Sequence, residues 1–359
     1  MSTISATQIR RKKYVYIWND CSSTRCDENG VVFCKACNEA ETPTAIAWRV
    51  SPSKPNLATN RTIPCDDGSG TEARLGTYKE TSVGPQHLNP GGKYRAICKL
   101  FVYFETPDGT RSVSKEATGW CCMDSKTIAT AGHVVYDEEH GRATSIEVHI
   151  GYRGTNSGNI ATHESRMAIC VAVHRQWYNK FANENDIALI KLQTPFDKVL
   201  PLHFKDCPER GERMKLCIAG YPGDLPSEGQ FMRECEGKID FHLQSHTVML
   251  HHRLDTFKGN SGSPVFQIGE NHELEVIAVH ARTCTIRRPD SDDENAHRTG
   301  RFYRVNQAVP LGHHGNVLAT VNQATTVLIM GGDYGIMGNR PGCVRYRCPY
   351  CTTTKIQIR

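Results

Sequence analysis

Serine, histidine and aspartate each occur in a short motif of this chain that could place them for acyl-transfer chemistry. Ser261 lies between glycines in the stretch Gly-Asn-Ser-Gly-Ser-Pro-Val (259–265), which predicts a tight turn entering a strand. Small neighbours would expose the hydroxyl and bring backbone N–H groups close to the carbonyl it attacks. His133 ends the run Thr-Ile-Ala-Thr-Ala-Gly-His, and Asp186 begins the run Asp-Ile-Ala-Leu-Ile. Each motif alone is also typical of an ordinary turn or strand end, so their combination carries the argument.

Short β-type runs bounded by turns must position these residues, because no long helical period interrupts residues 95–310. The runs form two groups of six. The first group is 96–104, 114–123, 127–131, 145–150, 169–173 and 187–192, and the second is 214–219, 233–241, 247–252, 264–268, 274–280 and 301–305. We therefore predict an all-β fold of two six-stranded antiparallel barrels, one over 95–200 and one over 201–310.

The chain order histidine, aspartate, serine within twin β-domains resembles the chymotrypsin-like (trypsin-fold) serine proteases. The α/β-hydrolases place the serine first and have glycine where this chain has Ser263. Asn260 before the serine, Ser-Pro after it, and Ala-Gly-Tyr-Pro-Gly-Asp at 219–224 are most similar to the glutamyl-endopeptidase branch. The resemblance covers about residues 95–310. It implies a serine endopeptidase that acts on a protein or peptide through an acyl-enzyme and needs no cofactor for catalysis.

The resemblance also implies a role for each matching residue. Ser261 would be the nucleophile, His133 the general base and then acid, and Asp186 the residue that orients the imidazole. The backbone N–H groups of Gly259 and Ser261 would form the oxyanion hole, worth about 3 kcal/mol per donor. Trypsins have an aspartate where this chain has Asn260, and it pairs with a newly cut N-terminus. We therefore predict that activity does not need that cleavage.

The residues around Ser261 give two opposed expectations for the substrate pocket. His280 and Thr256 fall where the resemblance places groups that bind an acidic side chain, and Arg282 adds positive charge nearby. Asp255, six residues before Ser261, falls where trypsins place the carboxylate that selects lysine or arginine. A buried carboxylate repels an acidic side chain unless it is paired. An unpaired Asp255 would dominate the local field, so we slightly favour a basic side chain, and the acidic choice stays open.

Cysteines concentrate near both ends of the chain, outside the resemblance. Residues 1–40 form a predicted cysteine-rich module, 41–94 an irregular linker or wrap rich in Pro and Gly, and 311–359 a cysteine-containing extension. Close-spaced thiolates on turns can hold a structural zinc, with disulfides or free thiols as alternatives. The candidate ligands are Cys21, Cys26, Cys34, Cys37, Cys343, Cys348 and Cys351, with His313 or His314 as a possible fourth ligand for the last three.

Charge and hydrophobicity limit the partners and the location that the chain can have. The formal net charge of +5 is spread along the chain, which argues against nucleic acid, and no apolar run approaches the ~20 residues that span a bilayer. We expect an intracellular protein, with secretion as the alternative, and leave the oligomeric state open. Two other functions are weighed: an inactive scaffold whose cysteine modules bind a protein or nucleic acid, and a metal-dependent hydrolase using His242, His246 and His252.

Overall fold

The computed structural model describes most of the two β-domains and only short pieces of the chain ends. Its described residues are 45–54, 75, 78–105, 112–154, 162–223, 229–243, 248–287 and 302–333, with the short strands 15–17, 24–26, 32–34, 61–64, 343–346 and 354–357. None of the helices within these ranges is long and apolar enough to cross a membrane.

Strands dominate the described residues, and three α-helices accompany them. The strands are β1 (Val15–Ile17), β2 (Thr24–Cys26), β3 (Val32–Cys34), β4 (Ala45–Arg49), β5 (Arg61–Pro64), β6 (Glu80–Ser82), β7 (Ile97–Glu105), β8 (Ser112–Cys121), β9 (Thr127–Thr130), β10 (Tyr136–Asp137), β11 (Gly141–Arg142), β12 (Ser145–Ile150), β13 (Glu164–His174), β14 (Ala188–Leu192), β15 (Arg210–Gly220), β16 (Arg233–His242), β17 (Leu250–His252), β18 (Pro264–Ile268), β19 (Leu274–Arg287), β20 (Phe302–Pro310), β21 (Cys343–Tyr346) and β22 (Thr354–Gln357). The helices are α1 (Gly132–Val135), α2 (Arg175–Lys180) and α3 (Leu318–Asp333).

The first β-domain is a closed barrel. Its strands pair antiparallel in the order β7, β8, β9, β14, β13 and β12, and β12 pairs again with β7. The long strand β13 bends at a bulge between Ala168 and Cys170, where its register against β14 shifts. The inward faces are apolar, and the fully buried side chains include Ile97, Leu100, Trp120, Ile128, Ile146 and Ile190. Burial of these side chains is the main stabilising contribution to the barrel.

The second β-domain is a sheet of seven strands in the order β17, β20, β19, β18, β15, β16 and β6. Six of the strands, β15 to β20, are those predicted from the sequence. Their buried faces enclose a second apolar cluster that includes Leu216, Ile218, Leu254, Val265 and Ile277. A bulge between His280 and Arg282 shifts the register of β19 against β20. The predicted all-β fold class with two β-domains is therefore confirmed.

All twelve predicted strands overlap observed strands, and the differences lie mainly at strand ends. β13 begins five residues earlier than predicted, and β19 continues to Arg287 because β20 pairs along its whole length. The segment 41–94, predicted as an irregular linker, contains β4, β5 and β6. β4 joins the edge of β13 and is buried, and Trp48 Nε1 donates to the Ala143 carbonyl. The prolines on both sides of this short apolar run made it look like part of an irregular segment.

Candidate active site

Ser261 lies in a turn whose backbone only glycine adopts without strain. Gly259 and Gly262 have φ values of 97° and 86°. A Cβ on Gly262 would lie 2.1 Å from Thr130 Oγ1 and 2.2 Å from the Thr118 carbonyl oxygen, so the turn packs directly against the first barrel. Strand β8 of that barrel also holds the serine, because the Thr118 N–H donates to the Ser261 carbonyl at 3.0 Å. Glycine at position 262 therefore allows the two β-domains to meet beside Ser261.

His133 and Asp186 come from the first barrel, each just outside a strand. His133 lies in the single turn α1 that follows β9, and Asp186 lies between a 3₁₀ turn (Asn183–Asn185) and β14. Gly132 allows the close approach of these elements, since a Cβ there would lie 2.6 Å from Trp177 and 2.9 Å from Asp186 Oδ1. β9 and β14 pair directly, which brings the ends of both strands together.

The structure brings the three predicted side chains into one hydrogen-bonded chain. His133 Nδ1 lies 2.7 Å from Asp186 Oδ2, and His133 Nε2 lies 2.8 Å from Ser261 Oγ. The His133 backbone N–H also donates to Asp186 Oδ1 at 2.7 Å. Because a carboxylate only accepts, Nδ1 carries the proton, and Nε2 of the neutral ring then accepts from the serine hydroxyl. All three residues are buried.

The electrostatics keep Asp186 ionised despite its burial. Desolvation opposes the charged form, but the charge and hydrogen bonds of His133, together with the nearby Arg282 charge, outweigh it and hold the pKa of Asp186 below its usual range. An ionised Asp186 stabilises a positive charge on the neighbouring imidazole. The arrangement can therefore take a proton from Ser261 and hold it on His133.

Backbone N–H groups surround the serine. Those of Asn260, Gly262 and Ser263 donate to the carbonyls of Phe257, His280 and Asn260. The Gly259 carbonyl accepts from Thr118 Oγ1 at 2.9 Å. The Gly259 and Ser261 N–H groups predicted for the oxyanion hole belong to this same turn.

The predicted pocket residues differ in how well their polar atoms are satisfied. His280 is fully buried, and neither of its ring nitrogens has a hydrogen-bond partner among the described residues. Its backbone pairs with Ser263 and Gly262 beside the nucleophile. Thr256 Oγ1 is likewise buried without a partner. Asp255 instead accepts a hydrogen bond from the Leu75 N–H at 2.7 Å.

Sequence reasoning did not connect His252 with His280. His252 is buried, and its ring meets that of His280 edge to face with centroids 5.5 Å apart. Burial first, and the neighbours His252 and His133, hold the pKa of His280 well below its usual value. Burial and His251 lower the pKa of His252 to about 3. Both rings are therefore neutral near pH 7, and no sequence motif connects them.

The predicted zinc ligands are not part of this site. The side chains of Cys21, Cys26, Cys34, Cys37, Cys343, Cys348 and Cys351 lie outside the described residues, so both metal sites stay predictions. His246 lies outside them as well. No group of three metal-binding side chains occurs within the described ranges. The eight cysteines with described side chains are free thiols, and the choice between an intracellular and a secreted location stays a prediction.

Known proteins resemble this chain over the region that holds the site. A family model described as the trypsin-like peptidase domain matches residues 117–279. A glutamyl endopeptidase of Bacillus licheniformis is 31% identical over 152 residues, 42% of this chain and 45% of that protein. A glutamyl endopeptidase of Staphylococcus aureus is 27% identical over 199 residues, 53% of this chain and 51% of that protein. The chain thus spans about half the length of the curated relatives it matches.

Among solved structures, a Glu endopeptidase in complex with MPD aligns with 69% of this chain and 96% of its own, at 22% identity and a TM-score of 0.47. The family match includes His133, Asp186 and Ser261. Residues 117–279, which hold all three residues of the hydrogen-bonded chain, therefore match the trypsin-like peptidase domain.

Proposed function

We propose that this protein is a serine endopeptidase. Ser261 acts as the nucleophile, His133 as the general base, and the Asp186 carboxylate orients the imidazole. The hydrogen-bonded chain from Asp186 through His133 to Ser261, at 2.7 and 2.8 Å, carries the proposal. These distances are within the reach that proton transfer requires. The match to the trypsin-like peptidase domain supports the same reaction class.

The reaction follows from the proton positions. Ser261 Oγ attacks the peptide carbonyl carbon while its proton passes to His133 Nε2. The resulting oxyanion accepts hydrogen bonds from the backbone N–H groups of Gly259 and Ser261. Collapse breaks the C–N bond, and His133 returns the proton to the leaving amine. Water then attacks the acyl ester by the same proton route, which releases the carboxylic acid and restores the serine hydroxyl.

We further propose that the pocket prefers an acidic side chain before the cleaved bond. An unsatisfied polar group in a buried position costs about 1–3 kcal/mol, so the open nitrogens of His280 and the Thr256 hydroxyl suit a ligand that brings acceptors. A neutral imidazole donates one N–H to a carboxylate, and the bound charge then raises the imidazole pKa. The glutamyl endopeptidase names of the relatives agree with this preference.

The alternative preference for a basic side chain depended on an unpaired Asp255. The Leu75 N–H already engages that carboxylate, and Asp255 is only 4% exposed. A lysine or arginine would therefore have to displace a protein hydrogen bond. The carboxylate then offers a weaker field to the pocket than an unpaired group would.

The test compares wild type with Ser261→Ala on matched peptides that end in Glu, Lys, Arg or Leu before a chromogenic leaving amine. We expect fluorophosphonate labelling and turnover only in wild type, with the Glu peptide cleaved fastest. Circular dichroism of both proteins controls for folding. Turnover by folded Ser261→Ala would overturn the mechanism, and faster cleavage after Lys or Arg would overturn the acidic preference alone.

A further inference from the structure

Asp186 lies just before β14, so the pairing of that strand does not include it. It follows a single 3₁₀ turn and adopts φ −73° and ψ 68°, a conformation that belongs to neither helix nor strand. Its backbone N–H makes only a long contact of 3.3 Å to the Asn183 carbonyl. A carboxylate that must meet His133 at 2.7 Å therefore begins from a short turn that needs external support.

A buried pair of asparagines supplies such support. Asn185 Nδ2 donates to Asn316 Oδ1 at 3.1 Å and to the His314 carbonyl at 2.8 Å. Asn316 Nδ2 donates to the Glu184 carbonyl at 2.7 Å and to the Pro310 carbonyl at 3.3 Å. Asn185 and Asn316 are 3% and 1% exposed. Both N–H bonds of each amide group are thus used, and they join two segments 131 residues apart.

The segment behind the pair is itself well fixed. It connects β20 to α3, and the Gly312 N–H donates to the Asn316 carbonyl while the Asn316 N–H donates to the His313 carbonyl. Gly312 and Gly315 have positive φ values of 78° and 80°, which glycine adopts without strain. α3 then packs on β4 and β13 of the first barrel. Asn316 therefore projects from a rigid base onto the turn that precedes Asp186.

We propose that Asn316 is a positioning residue for Asp186, and that it acts by holding the turn 183–185 so that the carboxylate meets His133. Among the described residues, Asn316 forms no hydrogen bond with His133 or Ser261, so its effect passes through the Glu184 carbonyl and the Asn185 side chain. This inference rests on the proposed function. It adds a residue from the C-terminal segment that the motif order did not identify.

The first test is Asn316→Ala in the full-length protein. We expect kcat on the Glu peptide to fall about 10- to 100-fold with KM nearly unchanged, because a small displacement of a reacting group costs up to about 100-fold. The matched control is Asn322→Ala on α3, whose side chain accepts from Thr325 and contacts no residue of 183–186 among the described contacts. The control should keep wild-type kcat. Equal kcat in Asn316→Ala and wild type would overturn the inference.

A double-mutant cycle separates positioning from general stability. If Asn316 acts through Asp186, Asn316→Ala should change the residual activity of Asp186→Asn by less than about twofold. A merely structural role predicts the same loss in both backgrounds, and that result would contradict the proposal. Thermal melting of each variant reports on folding. If Asn316→Ala does not fold, Asn185→Ala removes the same amide contact from the other side and carries the same expectation.

A spectroscopic readout does not need turnover. The proton on His133 Nδ1 lies in a short charge-assisted hydrogen bond and should resonate far downfield in the proton NMR spectrum. We expect Asn316→Ala to shift or broaden this signal and Asn322→Ala to leave it unchanged. A wild type that shows the signal without turnover would contradict the proposed function only. An unchanged signal in Asn316→Ala would contradict the positioning role only.

Discussion

The two β-domains contribute to the site in different states of polar satisfaction. The first barrel closes on itself, and the His133 and Asp186 side chains that it supplies are already hydrogen bonded to each other and to Ser261. The second sheet supplies the residues of the proposed pocket. There, His252, Thr256, Ser263 and His280 hold buried polar atoms without hydrogen-bond partners among the described residues. Under the proposed function, the catalytic side chains are preorganised in one half, and the binding groups of the other half wait for a ligand.

The proposed roles explain why the site residues of the second sheet, unlike those of the first barrel, include unsatisfied groups. A catalytic dyad must have its geometry fixed before substrate arrives, since a misplaced group loses rate. A pocket that binds a charged side chain gains affinity when the ligand satisfies groups that the free protein leaves open. Under the proposed function, the buried His280 costs stability in the free protein and contributes binding energy in the complex.

The largest expected effect is on the free energy of unfolding, at Gly262, where the two β-domains meet. Gly262→Ala would force a Cβ to within 2.1 Å of Thr130 Oγ1 at a φ of 86°, so we expect a loss of about 3 kcal/mol or more in the free energy of unfolding. Gly141→Ala is the control, because its φ is 71° and the space beside it is open. It should cost about 1 kcal/mol. Urea unfolding measures both, and equal losses would show that the interface tolerates the extra atom.

The sequence predicted the parts of this fold that depend on local pattern. Alternating apolar residues and turn signals located twelve strands, and the motifs around Ser261, His133 and Asp186 named residues that the structure brings together. Local pattern could not predict β4, because its partner β13 lies more than 100 residues away and its neighbours are rich in proline.

Long-range contacts explain the remaining omissions. The hydrogen bond between Leu75 and Asp255 spans 180 residues, and that between Asn185 and Asn316 spans 131. Neither asparagine has a distinctive motif, since asparagine in a turn is ordinary. The partners of a polar side chain decide its role, and only tertiary structure brings those partners together.

The next prediction compares one histidine substitution in each β-domain by its effect on activity and on stability. His280→Phe should lower kcat/KM for the Glu peptide about 10- to 100-fold, because a hydrogen bond to a charged group contributes about 1.5–3 kcal/mol. Its unfolding free energy should stay equal or rise, since a buried ring without partners becomes apolar.

His174→Phe is the counterpart in the first barrel. His174 is also buried, but its Nδ1 accepts from the Gln176 N–H at the start of α2. We expect a loss of about 1 kcal/mol in stability from the lost cap and no change in the Glu-to-Leu preference. Steady-state kinetics and urea unfolding on both variants measure the contrast. A stability loss in His280→Phe as large as in His174→Phe would contradict the difference between the halves.

The smallest effect is the pH dependence of stability, which the buried histidines set. Burial lowers the pKa of His252 to about 3 and that of His174, helped by Arg175, to about 4, and it holds that of His280 well below its usual value. The unfolded chain binds protons near pH 6.5, whereas the folded protein does not. Stability is therefore full above about pH 6.5 and falls as the pH drops, by up to about 1.4 kcal/mol per pH unit for each histidine.

His252→Phe removes one of these groups from the second sheet. Between about pH 6 and pH 4.5 the unfolding free energy of the variant should fall less steeply than that of wild type, by up to about 1.4 kcal/mol per pH unit. Urea unfolding at a series of pH values gives the two slopes. Parallel slopes would mean that His252 takes up a proton equally well in the folded protein. Such a result would imply a partner for His252, and the pocket would then be satisfied before substrate binds.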